Sequence, residues 1–443
     1  MKDYISPNDP GLFGETDAVT LQNAIAAAEA DGCRKVVVPR YNLRTGTTQW
    51  RIDRAVQIPS SFTLILDNCN LIQETGIYDH MFTNSLSYTE EGKTPEGEQH
   101  DITVLGLGNV VLDGGEHNRL LEKTSGRYGL PRVWKNTMFY WVNVRGLRVE
   151  NLFIQNQRWW AITHIFCRDA FYKNITFQAI PHVTNMDGID LRIGCNNFHL
   201  ENITGRTGDD LIAMTALKGD WEMSRAVPGK DTHIHDVTVR NVMGDPYMWL
   251  VVRLLNHDGN EIYNIDLDTI FDVTDPTTKK RPIATVGIGG ILYSKLRKAA
   301  PGETRAITAR NLTSRGGCAV RIDNTLVDST FQNMKTYGDN LVGVGTRDNT
   351  QVSNVLFEDF YYGSIQQEIF CSTALDPSKY VGAVVELPGS TGDLSFKNLT
   401  VDKVKTIVSG DVAVDVEGFA CTCTRTLNEN GKLTIDGKEI CHD

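Results

Sequence analysis

What most constrains this chain is a recurring phrase of alternating apolar residues built around an asparagine. It reads RVENLFI, FYKNITF, FHLENIT, VTVRNVM, EIYNIDL, ITARNLT, STFQNMK, QVSNVLF and LSFKNLT. The asparagines are Asn151, Asn174, Asn202, Asn241, Asn264, Asn311, Asn333, Asn354 and Asn398, with successive gaps of 23, 28, 39, 23, 47, 22, 21 and 44 residues. Gaps of 21 to 23 recur, two are near double that, and loop insertions account for the others. A unit this short, with a period of two, cannot bury its own apolar face; stacked copies bury a continuous core. The expected fold class is therefore all-β: a single-stranded right-handed parallel β-helix whose coils lie about 4.8 Å apart.

Asparagines recurring at one point of each coil are expected to stack as a single hydrogen-bonded ladder. Asn174, Asn202, Asn311 and Asn398 also open N-glycosylation patterns, but all four fall on the repeat and are read as architecture. Residues 16–32 have helical spacing instead, with Asp17 or Thr20 as the expected cap, followed by the short strand KVVVP. Such a helix plugs the open end of a solenoid, so about 10–45 is read as an N-terminal cap. The tail after about residue 420 carries Asn-Gly and Asp-Gly turns and is expected to close the other end. No linker rich in Pro, Gly or Ser divides the chain, so residues 1–443 are read as one domain.

Composition narrows the partners. A net charge of −11 argues against nucleic acid or an anionic membrane, both of which require a basic face. No apolar run is long enough for a membrane span. The N-terminus, MKDYISPNDPG, lacks the apolar stretch of a secretory signal. Nine scattered cysteines do not form a disulfide framework. Together these favour a reducing compartment, with a trimmed secretory signal as the alternative. Cys421, Cys423, Cys441 and His442 match no standard zinc spacing and are read as ordinary thiols and a tail residue.

The chemistry concentrates between Trp160 and Ala216. Asn185-Met186-Asp187 is followed by Gly208-Asp209-Asp210, and Asp187 lies 22 residues before Asp209 and 23 before Asp210. One coil separates them, which predicts neighbouring carboxylates on one wall. An aspartate beside a glycine commonly caps a turn; the pairing one coil apart is what lifts these three above that reading, while Asp190 is read as a turn or supporting residue. Crowded carboxylates repel, which raises the pKa of at least one and leaves a neutral acid beside an ionised base. That pair is what glycosidic hydrolysis requires, and a separation of roughly 6.5–9.5 Å, wide enough for a water, gives inversion.

These residues resemble the polygalacturonase family, family 28 of the glycoside hydrolases, whose members carry Asn-Thr-Asp and Gly-Asp-Asp. Trp160-Ala161-Ile162-Thr163-His164 is similar to the family's Trp-Thr-Ile-His stretch, and DLIAM to its Asp-Cys-Ile-Ala-Ile; the N-terminal region is similar to the opening of many pectin-active β-helices. The resemblance spans most of residues 10–360 and is specific at 160–216. It implies an inverting hydrolase in which Asp209 is the general acid and Asp187 and Asp210 activate water, with no metal or other cofactor.

Two family motifs differ. The family's His-Gly is replaced by Gly244-Asp245-Pro246-Tyr247-Met248, and its carboxylate-gripping Arg-Ile-Lys by Arg321-Ile322-Asp323. An aspartate near a uronate is repulsive, which shifts the expected substrate from unsubstituted galacturonan toward a neutral, branched or modified sugar. Asn185, Tyr247, Trp249, Arg253 and Arg321 are the candidate substrate contacts, and Arg192 is a further candidate cation; the plainer reading of Arg253 and Arg192 is a solvated surface arginine. Trp134, Trp141, Trp159, Trp160 and Trp249 are candidate sugar platforms or packing residues, with packing favoured for Trp160.

The leading expectation is thus a glycoside hydrolase acting on a pectic or related carbohydrate. A β-helix lyase, epimerase or glycosyl-transferring enzyme is the alternative enzyme class, distinguished by its products. A non-catalytic glycan-binding homologue is a third reading, distinguished by binding without turnover.

Overall fold

The computed structural model describes residues 2–120, 133–180, 183–275, 282–290, 297–337, 344–346 and 350–363, together with short strands between 383 and 439. Most of the 420–443 tail, and the side chains of Cys421, Cys423, Cys441 and His442, lie outside the described residues. The chain divides into two compact units, one of residues 1–208 with 219–231 and one of 209–218 with 232–443. Both are built from coils of a right-handed parallel β-helix, the hand that parallel crossovers take.

The first unit opens with the helix Asp17–Asp31, whose Ala18, Leu21, Ala24, Ile25 and Ala28 are buried. Its cap is Thr16, whose hydroxyl accepts from the Val19 amide; this corrects the expectation of Asp17 or Thr20. Asp17 is instead buried, accepting from the Asn42 side chain, the Arg44 guanidinium and the Arg51 amide. Thr20 turns back, donating to the Thr16 carbonyl and accepting from the Gly14 amide.

One sheet of this unit then runs in parallel register from Lys35–Val38 through Phe62–Asp67, Gln99–Leu107, Val144–Gln155 and Arg168–Gln178 to Asn196–Thr207. A second passes through Val56–Ile58, Phe82–Asn84, Phe139–Val142, Ile162–Ile165 and Ile189–Leu191. In the second unit the corresponding sheets are Ile234–Pro246, Ile262–Asp272, Thr304–Ser314, Leu326–Tyr337 and Gln351–Gly363, and Ile212–Ala216, Leu250–Asn256, Ala284–Ile288, Cys318–Ile322 and Val344–Thr346.

Each long strand bends where its backbone enters the left-handed region, and the register sorts these bends into two columns. In the first unit one column holds Asn151, Asn174 and Asn202, and the other Asp101, Gly146, Asp169 and Asn197. In the second unit one holds Asn241, Thr269, Asn311, Asn333 and Asp359, and the other Asp236, Asn264, Ala306, Asp328 and Asn354. Asn264 and Asn354 therefore do not belong to the column of the other repeat asparagines, which corrects the single ladder. Asn and Asp tolerate positive φ better than other non-glycine residues, so either column selects them, and sequence alone merges the two. Rungs do form: Asn174 donates to Asn151 at 2.8 Å, Asn202 to Asn174 at 2.8 Å and Asn333 to Asn311 at 2.6 Å.

The short strands of the second sheet are buried on both faces. Their inward positions are mostly apolar, His164 being an exception, whereas one outward column reads Tyr140, Thr163, Asp190 in the first unit and Ala213, Arg253, Gly287, Arg321 in the second. A buried outward face carrying charged residues is where chemistry is built.

Candidate active site

In the first unit, Asp187 sits just before the strand Ile189–Leu191 on a backbone pinned at two points. Its carbonyl accepts from the Ala161 amide and that of Gly188 from the Ile162 amide, both at 3.0 Å. Asp187 is 4% exposed, and Asn185, two residues earlier, takes a left-handed φ of 60°. Gly208 donates its amide to the Met186 carbonyl at 3.0 Å. A Cβ on Gly208 would stand 2.0 Å from the Val183 carbonyl oxygen, so only glycine allows this approach. The residue before Asp187 and the residue before Asp209 are thereby hydrogen-bonded backbone neighbours.

His164, from the Trp160–His164 stretch, faces the interior. The Asp190 carbonyl can only accept, so Nδ1 carries the proton it receives at 2.9 Å, and Nε2 accepts from the Tyr172 hydroxyl at 2.5 Å. Burial pushes the imidazole down to about 4, which makes it a neutral core residue that ties one sheet to the other.

Arg192 and Glu222 are buried together, with Nε to Oε1 at 3.1 Å and Nη2 on the same oxygen. The Arg192 guanidinium lies 4.5 Å from the Trp160 ring centre. Trp160 is half-buried against Trp159 and Trp221, and Trp134 stacks on Trp221 at 5.7 Å. Trp141 and Trp159 are buried to 0% and 2% exposure, so they are core residues and not sugar platforms. Arg192 is likewise no solvated surface arginine.

In the second unit, Asp209 is 5% exposed and its Oδ1 accepts from the Asp210 amide at 3.0 Å. Asp210 is fully buried. Its Oδ1 accepts from the Leu250 amide at 2.9 Å and its Oδ2 from Arg253 Nη1 at 3.0 Å. Burial pushes the Asp210 carboxyl upward, and the Arg253 charge and these hydrogen bonds oppose it without reversing the direction.

Arg321, on the far side of Arg253 and Gly287 from Ala213 in register, is 2% exposed and donates Nε–H to Asp323 Oδ1 at 2.8 Å. Neither arginine is a solvated surface group. Tyr247 is half-buried, and Trp249 packs on Leu250, Ile283, Ala284 and Cys318. The residues that sequence reasoning missed are Glu222, which closes on Arg192 from 30 positions away, and the Leu250 amide. Neither leaves a local signal, because a side-chain partner across a loop or a main-chain donor has no sequence signature.

Residues 51–227 match the family model described as glycosyl hydrolases family 28. No curated protein sequence matches the chain. Among solved structures, a family 28 exopolygalacturonase from Yersinia enterocolitica is similar with a TM-score of 0.53 at 12% identity, covering 99% of this chain and 76% of that one. A hyperthermoactive exopolygalacturonase from Thermotoga maritima gives 0.55 at 12% identity, over 94% of this chain and 91% of that one. PfbA, a surface adhesin of Streptococcus pneumoniae, gives 0.55 at 14% identity, over 92% of each chain. At these identities the structural likeness establishes the fold.

Proposed function

We propose that this chain, a divergent polygalacturonase-like glycoside hydrolase of family 28, cleaves a pectic or related poly- or oligosaccharide with inversion, using Asp187, Asp209 and Asp210. The observation that carries this reading is the Gly208–Met186 hydrogen bond at 3.0 Å, which pairs the residue before Asp209 with the residue before Asp187, as a spacing of one coil between the two motifs predicts. Asp209 is the general acid that protonates the departing glycosidic oxygen. Asp187 and Asp210 hold the attacking water, one of the two accepting its proton, and the charge that develops on the sugar ring faces carboxylates. Each of the three is nearly or fully buried, and burial of a carboxylate is costly to a fold and useful to acid–base chemistry.

Asn185, Tyr247 and Trp249 are the proposed sugar contacts. The arginines carry a different message about the substrate. Arg321 is engaged by Asp323 and Arg253 by Asp210, so a uronate would meet arginines already neutralised by carboxylates. This supports a neutral or esterified sugar at that position.

Incubating wild type and Asp209→Asn with a panel of pectic oligosaccharides tests the reading. Wild type should release reducing ends, and the variant should keep its circular dichroism while losing turnover. Full activity in the variant would sink the assignment of Asp209. Tight binding by wild type with no turnover across the panel would point to a glycan-binding protein, and an unsaturated product absorbing in the ultraviolet would point to a lyase.

A further inference from the structure

We propose that Arg253 is a positioning residue: resting on the reading above, its guanidinium fixes the orientation of Asp210 and supplies the countercharge that lets this carboxylate work while buried. Both oxygens of Asp210 are held from one strand, Leu250–Asn256, by the Leu250 amide at 2.9 Å and by Arg253 Nη1 at 3.0 Å. Two donors on one rigid strand determine the plane of the carboxylate as well as its position.

The surroundings are shaped for this guanidinium. In register, Arg253 lies between Ala213 and Gly287, which leave the outward face of the sheet open for a large side chain. A Cβ on Gly287 would come within 2.5 Å of Leu250 Cδ1, and one on Gly290 within 3.1 Å of Arg253 Nη2. Added side chains would press on the two residues that hold Asp210. Asp210 is 0% and Arg253 9% exposed. A carboxylate withdrawn this far from water needs a partner of opposite charge, or it takes up a proton and is lost as a base. A substrate-gripping arginine would leave Asp210 without that partner whenever it turned to the sugar.

The test measures steady-state kinetics of wild type, Arg253→Gln and Arg253→Lys on a glycan that wild type cleaves. Arg253→Gln should lower kcat about 10–100-fold, the scale of loss when the supporting partner of a metal ligand is removed, with KM nearly unchanged. Millimolar guanidinium should restore part of the loss, and Arg253→Lys should fall between. A raised KM with unchanged kcat would overturn the proposal and make Arg253 a substrate contact; so would unchanged kinetics or absent rescue.

A thermal-unfolding cycle over Arg253→Gln, Asp210→Asn and the double variant reads the pair without activity. Asp210→Asn should lower the midpoint less when Arg253→Gln is already present than in wild type, and additive shifts would contradict the coupling. If wild type cleaves no glycan, the functional reading fails, while the cycle still decides whether Arg253 and Asp210 act as a unit.

Discussion

Arg321 donates its Nε–H to Asp323 Oδ1 over 2.8 Å, with both side chains largely withdrawn from water. Within this pair each charge offsets the other. Asp323→Asn should therefore raise kcat/KM for free-acid galacturonan oligomers relative to their methyl esters by about tenfold, equivalent to ~1.4 kcal/mol. Methyl esterification changes the charge and leaves sugar and linkage intact, so the ratio isolates electrostatics. An unchanged ratio would show that Asp323 does not govern charge selection.

The Arg192–Glu222 pair makes a stability prediction. Both residues are 5% exposed, so Glu222→Ala leaves a buried guanidinium without its carboxylate. Breaking a buried pair from one side costs about 3–5 kcal/mol, measurable by denaturant unfolding. Arg192→Met and Glu222→Met together should cost less than Glu222→Ala, because no charge is stranded.

Thr269 offers a test of the bend columns. It takes φ of 62° in a column otherwise held by Asn and Asp in the second unit, and a β-branched residue is strained there. Thr269→Asn should stabilise the protein by about 1 kcal/mol, read as a raised unfolding midpoint. A lowered midpoint would mean that the Thr269 hydroxyl, which donates to Asp268 at 2.9 Å, outweighs the backbone strain.

How far the fold was legible follows from the same columns. Alternation around Asn151, Asn174 and Asn202 announced the coils, because period-two burial is written in the chain itself. Asn264 misled because it fits the phrase equally well yet bends the strand five residues before Thr269, and only register separates them. The Asn185-Met186-Asp187 and Gly208-Asp209-Asp210 motifs were readable from their spacing, and the Gly208–Met186 hydrogen bond pairs them. The partners of Arg192 and Arg253 were not readable, since pairings between residues 30 and 43 positions apart depend on loop paths and packing. His164 looked like part of the reactive stretch, but strand parity turns it into the core.

Two buried histidines give a pH prediction. Burial lowers His164 from 6.5 to about 4 and His80 from 6.5 to about 3. Both bind protons more weakly in the folded chain than in the unfolded one, so unfolding takes up protons below pH 6.5. Their contribution is fully present above that value and falls as pH drops toward 4 for His164 and 3 for His80. Each contributes a slope of about 1.4 kcal/mol per pH unit within its window. Unfolding free energies at pH 7.5 and pH 5 should differ in that direction; equal values would contradict it.

The most direct test of the central claim is the anomeric configuration of the first product, followed by proton NMR during early turnover of a cleaved oligosaccharide. The proposed roles, Asp209 as acid and Asp187 and Asp210 activating water, predict a product whose anomer is inverted relative to the bond broken, with mutarotation appearing only later. A first product of retained configuration would require a covalent glycosyl intermediate and would contradict the roles assigned to all three aspartates.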